Sequence, residues 1–142
     1  MRDYLSAIDA VSKEKYVDVN RRGCIGASFG GYSVFYLAGI HNKRFKTFIS
    51  HDGVFDLRSM LGTTEEIWFT DWDFGGRYWE KNNPAVQRSL RTANPINNID
   101  KWNTPILIYQ GGKDYRVPIE QSLQAFQAAQ LRCPPPNATP LG

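Results

Sequence analysis

Hydrophobic residues recur along the chain at two spacings, one typical of helices and one typical of short buried strands. Tyr4, Leu5, Ile8 and Val11 lie at helical spacing and predict an amphipathic helix over residues 3–14. Residues 30–39 are apolar at nearly every position, which predicts a second helix that is largely buried. A last helix is predicted to begin beside Pro118. Its apolar positions are Ile119, Leu123 and Phe126.

Three short apolar segments predict strands, at residues 23–26, 45–50 and 105–110. They alternate with the helices in the order helix, strand, helix, strand, long insertion, strand, helix. Such alternation is typical of a parallel sheet with flanking helices, so the expected fold class is α/β. Three strands make a thin sheet for this class, and both of its edges are expected to be open.

The insertion between the second and third predicted strands lacks a clear periodicity. Residues 57–103 are expected to be loop-like with short helical turns, and they contain all the tryptophans of the chain. These are Trp68, Trp72, Trp79 and Trp102. Tryptophans at this density usually cover a hydrophobic core, and the alternative is that they line a pocket.

Composition and charge narrow the class of protein. The chain has 142 residues, of which 42% are hydrophobic and 22% charged, a balance typical of one ordinary globular domain. The net charge is +3 and no run of Lys or Arg exceeds two residues, so nucleic acid is not an expected partner. No apolar run approaches the roughly 18 residues that span a bilayer, so no membrane partner is expected either.

The cysteines and histidines give little information about the compartment or about a metal site. Cys24 and Cys133 cannot make a disulfide framework, so the compartment stays open between the cytoplasm and the periplasm or secretion. No cysteine–histidine spacing indicates zinc, and no metal or cofactor is expected.

The strongest chemical signal is a serine between glycines. Residues 26–32 have the sequence Gly-Ala-Ser-Phe-Gly-Gly-Tyr, which matches the nucleophile-elbow pattern G-x-S-x-G. They lie between a predicted strand and a predicted helix, as that elbow requires. The elbow is a sharp turn, and flanking glycines let strand and helix pass closely. One alternative is a glycine-rich turn with an incidental serine at Ser28. Another is a dinucleotide-binding loop, which is disfavoured because its strand should end before Gly23.

A serine nucleophile needs a base, and the base needs an orienting acid. Asp114 lies just after the third predicted strand, at the same sheet edge as Ser28; the alternative is that it caps the following helix. The order Ser, Asp, His then calls for a later histidine, and residues 115–142 contain none. His41 is expected at the far, amino end of the sheet. His51 follows the second predicted strand and is the possible alternative base.

The serine segment resembles a known motif. Its doubled glycine followed by tyrosine is similar to the serine motif of the prolyl oligopeptidase family of serine peptidases and is more specific than a bare elbow. Residues 114–118, Asp-Tyr-Arg-Val-Pro, resemble the segment that carries the catalytic aspartate of that family. Residues 4–9 and 16–18 resemble the helix and the turn before the serine strand.

Two further stretches, residues 51–56 and 68–79, look closest to the dipeptidyl-peptidase V and acylaminoacyl-peptidase branch, and the likeness covers residues 3 to about 132. The resemblance implies an α/β-hydrolase domain, normally placed behind a β-propeller at the C-terminus of a larger protein. It implies Ser28 as the nucleophile and Asp114 as the acid of the triad. The amide of Phe29 would serve the oxyanion hole. Val54 and Val117 are candidates for the apolar pocket.

The chain also departs from the family pattern. The early strands, an oxyanion-hole tyrosine, the propeller and the histidine-bearing end are missing, so this is expected to be a partial α/β-hydrolase fold. We hypothesise one domain over residues 1–132 and an irregular, non-native Pro-rich tail over 133–142. The expected function is a serine peptidase that cleaves short peptides near their N-terminus through an acyl-enzyme.

Without the triad histidine, the isolated chain is expected to be inactive. Its expected partners are a peptide substrate and the rest of its own chain, and the sequence leaves the oligomeric state open. Two other interpretations stay open: an esterase or other acyl hydrolase of the same fold, and a non-catalytic remnant.

Overall fold

The computed structural model describes residues 1–132, apart from the side chain of Thr70, and these residues form one three-stranded parallel sheet with flanking helices. The strands are β1 (Gly23–Ala27), β2 (Thr47–His51) and β3 (Ile106–Tyr109), in the spatial order β1-β2-β3. Both strand pairs are parallel. The expected α/β class is therefore confirmed. The predicted proline-rich tail, residues 133–142, lies outside the described residues.

Helices precede, separate and follow the strands. They are α1 (Arg2–Val11), α2 (Phe29–Ala38), α3 (Leu57–Thr63), α4 (Phe69–Asp73), α5 (Pro84–Thr92), a 3₁₀ helix (Pro95–Lys101) and α6 (Glu120–Arg132). The expected short helical turns of the insertion are thus α3, α4, α5 and the 3₁₀ helix. Asn83 starts α5, because its side-chain oxygen accepts hydrogen bonds from the amides of Ala85 and Val86 and Pro84 takes the first helical position.

The core lies on one face of the sheet. It consists of Val34, Phe35, Leu37, Ala38, Phe45, Phe48, Phe55, Trp102 and Ala125, with side chains of α1 packed against it. Phe35 stacks on Trp102 with ring centroids 5.9 Å apart. The opposite face of the sheet is open. There Ile25 is 74% exposed, and Leu107 and Tyr109 of β3 are about half exposed.

The expectation that the tryptophans cover a core is right for one and wrong for three. Trp102 is buried in the core, stacked on Phe35. Trp68, Trp72 and Trp79 are exposed, Trp72 to 85%. Trp102 lies between the 3₁₀ helix and β3, whereas Trp68 and Trp72 lie next to and within α4 and Trp79 lies between α4 and α5.

The apolar stripe that predicts α6 is not the buried face of that helix. Ile119, Leu123 and Phe126 are exposed, whereas Gln121, Ser122 and Ala125 are buried. Gln121 faces inward for a physical reason: its Oε1 accepts hydrogen bonds from the backbone amides of Phe55 and Asp56, each at 2.9 Å. Buried amides need such partners. Across residues 1–132, no helix has the length and hydrophobicity needed to span a membrane.

Candidate active site

Ser28 lies in a strained turn between β1 and α2. Its backbone angles are φ 55° and ψ −116°, a conformation that costs a non-glycine residue on the order of 1–3 kcal/mol. Hydrogen bonds on both sides hold the turn. The Ser28 amide donates to the carbonyl of His51 at 2.9 Å, and the Ser28 carbonyl accepts from the amide of Tyr32 at 3.0 Å. The side chain stands exposed at the carboxyl end of the sheet.

Close backbone packing around this turn needs glycine at three positions, Gly26, Gly31 and Gly53. A Cβ on Gly26 would lie 2.8 Å from Cα of Gly30, and a Cβ on Gly31 would lie 2.6 Å from Cα of Gly53. A Cβ on Gly30 would meet nothing within 4 Å. The expectation that both flanking glycines permit close passage therefore holds for Gly26 and is wrong for Gly30. The other tight positions are Gly31 and Gly53.

Asp114 lies in the loop between β3 and α6 and organises that loop. Its Oδ1 accepts hydrogen bonds from the amides of Arg116 at 3.0 Å and Val117 at 2.9 Å. The helix that follows begins only at Glu120, so these bonds close a turn rather than cap α6. Within residues 1–132, Asp114 Oδ2 has no hydrogen-bond partner. One carboxylate oxygen thus shapes the loop and the other can accept a further hydrogen bond.

A pocket of about 390 Å³ opens beside Ser28. Its lining includes Ser28, Phe29, Val54, Met60, Phe74 and Val117. The structure therefore brings together the serine, the following phenylalanine and both valines that were predicted to line a pocket. Asp114 and His51 are not among the lining residues.

Tyr32 also lines the pocket but turns its polar end away from it. Its hydroxyl donates to the carbonyl of Ala93 at 2.6 Å. Burial, and then the nearby Tyr36, raise the pKa of Tyr32 to about 12, so the group stays neutral. The pocket wall is accordingly apolar at this point.

The two histidines have opposite environments. His51 ends β2, its side chain is 55% exposed, and its Nδ1 lies 3.2 Å from Oδ2 of Asp52. His41 is only 4% exposed; its Nδ1 accepts from the amide of Phe45, and its Nε2 lies 3.2 Å from Oγ1 of Thr104. Because Thr104 precedes β3, His41 is at the amino end of the sheet, as expected. Burial lowers the pKa of His41.

Several residues that shape the site carry no clear signal in the sequence. Arg116 lines the pocket and forms an ion pair with the largely buried Glu66. Thr64 Oγ1 donates to the carbonyl of Arg116 at 2.7 Å, which ties the segment after α3 to the loop of Asp114. Met60 and Phe74 come from the same insertion. Its lack of periodicity gave no signal for them, whereas Arg116 follows Asp114 closely enough to have been considered.

The chain is similar to a known protein family over nearly its whole length. The model of the prolyl oligopeptidase family matches residues 1–136. The chain belongs to the prolyl oligopeptidase family. This agrees with the resemblance carried by the serine segment and by residues 114–118.

Individual members of the prolyl oligopeptidase family are similar over most of the chain. Dipeptidyl-peptidase 5 of Porphyromonas gingivalis is 52% identical over 132 residues, which are 93% of this chain and 19% of that protein. Acylaminoacyl peptidase of Pyrococcus horikoshii has a similar structure, with a TM-score of 0.79, 25% identity and coverage of 92% of this chain and 21% of the other. A puromycin-hydrolyzing peptidase of Mycobacterium tuberculosis gives a TM-score of 0.77 at 25% identity, with 92% and 19% covered.

The chain thus spans about a fifth of the length of these relatives. Since they are α/β-hydrolase peptidases, the three parallel strands and their helices constitute part of an α/β-hydrolase fold.

Proposed function

We propose that this chain forms the nucleophile-bearing part of a serine peptidase that cleaves short peptides near their N-terminus. The observation that carries the proposal is the position of Ser28, held at positive φ at the rim of an apolar pocket. Strained non-glycine residues with exposed nucleophilic side chains cluster at functional sites. Membership of the prolyl oligopeptidase family supports the same reaction class.

In the proposed reaction, Ser28 Oγ attacks the carbonyl carbon of the scissile bond and its proton passes to an imidazole base. The amide of Phe29, at the N-terminus of α2, would donate to the oxyanion, since a helix N-terminus favours negative charge. The base then protonates the leaving amine, and water hydrolyses the acyl-enzyme ester. Asp114 Oδ2 would orient the imidazole.

The imidazole is proposed to come from the rest of a longer polypeptide, and the isolated chain is proposed to be inactive without it. Two observations support a longer polypeptide: the open face of the sheet around Ile25 and Leu107, and the relatives of about five times the length. His51 is the alternative base. A His51→Gln variant that loses activity as fully as a Ser28 variant would favour that alternative.

The proposed substrate places an apolar side chain in the pocket beside Ser28. Val54 and Val117 would contact that side chain, and the exposed ring of Phe29 would flank it. Burying an apolar side chain of this kind contributes about 1.5–3 kcal/mol, which is enough to select the residue before the cleaved bond. An esterase would use the same serine, and comparing a p-nitrophenyl ester with a dipeptidyl amide separates the two activities.

The decisive experiment is fluorophosphonate labelling of the full-length protein that contains this chain. We expect the label on Ser28, within the tryptic peptide of residues 23–43, and loss of both label and peptidase activity in Ser28→Ala. Ser6→Ala, on the exposed side of α1, is the matched control and should label normally. An unlabelled Ser28 peptide from the wild-type protein would contradict an activated serine and favour a non-catalytic remnant.

A further inference from the structure

Asp52 occupies an unusual position directly after β2. Its backbone has φ 46°, in the left-handed region that aspartate and asparagine tolerate better than most residues. The side chain is 19% exposed and makes two polar contacts. Oδ1 accepts a hydrogen bond from the amide of Gly111 at 2.7 Å, and Oδ2 lies 3.2 Å from Nδ1 of His51.

The pair His51 and Asp52 contacts both halves of the candidate site. The carbonyl of His51 accepts from the amide of Ser28 at 2.9 Å, which fixes the serine turn. The amide of Asp52 donates to the carbonyl of Tyr109, the last residue of β3, also at 2.9 Å. Two consecutive residues therefore connect the serine turn on one side with the end of β3 on the other.

Gly111 lies between Asp52 and Asp114 and is hydrogen-bonded to both. The carbonyl of Gly111 accepts from the amide of Asp114 at 3.2 Å, while its own amide is bound by Asp52. The far end of the loop is closed separately, by Gln110 Nε2 donating to the carbonyl of Val117 at 2.8 Å. Asp52 thus holds the near end of the loop, between Gly111 and Asp114.

We propose that Asp52 is a positioning residue that fixes the loop of Asp114 relative to Ser28. The inference rests on the proposed function, because it matters only if Asp114 orients the base. A carboxylate that accepts from a backbone amide makes a stronger and shorter hydrogen bond than a neutral acceptor. Misplacing a catalytic group by about 1 Å can lower a rate by about 10²-fold, so a single tethering bond is sufficient to matter.

Three substitutions in the full-length protein separate the tether from backbone strain. Asp52→Asn keeps an oxygen acceptor and tolerates positive φ, so kcat should stay within about threefold of wild type. Asp52→Gly relieves strain but removes the acceptor, and kcat should fall about 10- to 100-fold with KM nearly unchanged. In Asp52→Ala, kcat should fall at least as far as in Asp52→Gly. Asn42→Gly, at φ 48° in the turn before β2, is the matched control and should leave kcat unchanged.

A second measurement does not depend on catalysis. Amide hydrogen exchange of the peptide covering residues 111–117 should speed up in Asp52→Gly and remain near wild type in Asp52→Asn. Any of three results would overturn the inference. They are a wild-type kcat in Asp52→Gly, unchanged amide exchange in that variant, and a kcat in Asp52→Asn that falls as far as in Asp52→Gly. Full activity in Ser28→Ala would instead refute the proposed function, and the exchange result would still decide whether Asp52 holds the loop.

Discussion

The two ends of the sheet hold their polar groups in opposite ways. At the carboxyl end, Ser28 and His51 are exposed and stand beside an open pocket or loop. At the amino end, His41 is buried against Phe48, with ring centroids 5.0 Å apart, and both ring nitrogens have partners. The side chain of Ser28 is therefore exposed at the carboxyl end, whereas both ring nitrogens of His41 at the amino end are used in structural contacts. Ligands of open α/β sheets bind at the carboxyl ends of the strands.

Backbone strain alone does not separate the two ends. Asn42 and Lys43 have positive φ near the amino end, as Ser28 and Asp52 do at the carboxyl end. The first two shape one exposed turn. Ser28 and Asp52 are instead bonded to different segments, so each strained residue at the carboxyl end also holds a neighbour in place. Positive φ combined with hydrogen bonds to other segments distinguishes Ser28 and Asp52 from Asn42 and Lys43.

The largest expected effect comes from Asp114, the proposed acid of the triad. Asp114→Asn should lower kcat by about 10⁴-fold in the full-length protein, because the neutral amide cannot stabilise the charged imidazole or select its tautomer. The amide oxygen can still accept from Arg116 and Val117, so the loop and the thermal stability should be retained. Steady-state kinetics measure kcat, and a melting curve measures the thermal stability. Asp100→Asn, at an exposed position of the 3₁₀ helix, is the control and should leave kcat unchanged. Near-normal activity in Asp114→Asn would show that Asp114 only stabilises its turn.

The next effect distinguishes two neighbouring glycines. Gly31→Ala should destabilise the domain by about 1–3 kcal/mol or more, because its Cβ would meet the backbone of Gly53 and the carbonyl of His51, at 2.8 Å. Gly30→Ala should be neutral or slightly stabilising, since its Cβ points into open space within a helix. Urea unfolding compares the two. Equal destabilisation of both variants would contradict the close approach of α2 to the end of β2.

A smaller effect concerns substrate choice at the carboxyl end. Val54→Phe should fill part of the pocket. The ratio of kcat/KM for a substrate with a bulky apolar residue before the cleaved bond to kcat/KM for a substrate with alanine there should fall about tenfold. Val19→Phe, in the exposed turn before β1, should leave the ratio unchanged. A ratio that does not move in Val54→Phe would show that the substrate side chain binds elsewhere.

Much of the fold follows from local patterns, and the exceptions have physical causes. Strands and helices alternate visibly in the sequence, so β1 to β3, α1, α2 and α6 could be anticipated. The buried face of α6 could not, because Gln121 faces inward to satisfy amides from a segment about 65 positions earlier. A helical pattern records where apolar residues lie, and it carries no information on which distant amides need a partner.

The sequence nominates candidate residues that stand in recognisable motifs and gives no signal for residues defined only by long-range contacts. Ser28 and Asp114 stand in short motifs whose chemistry is evident from residue types. Glu66 and Asp52 act through contacts with loops about 50 and 59 positions away, with Arg116 and Gly111 respectively. Only the packed chain brings these groups together, so no spacing rule could have nominated them.

The smallest effect belongs to the amino end, where His41 should govern stability and not activity. Burial lowers the pKa of His41 in the folded state below its ordinary value of 6.5, so the unfolded chain binds more protons as the pH drops below about 6.5. Stability should therefore fall as the pH falls from that point to the lowered folded-state pKa, and level off below it. Urea unfolding of the full-length protein between pH 7.5 and 5 should show this slope.

His41→Asn isolates that effect, because its side-chain oxygen can replace Nδ1 as the acceptor for the amide of Phe45 while nothing at the position titrates. The variant should be less stable at every pH, since the ring contacts with Phe45 and Phe48 are lost, but part of the slope should disappear. Asn42→Gly should keep the full slope. An unchanged slope in His41→Asn would mean that another group carries the acid sensitivity, and a large loss of kcat would break the separation between a structural and a chemical end of the sheet.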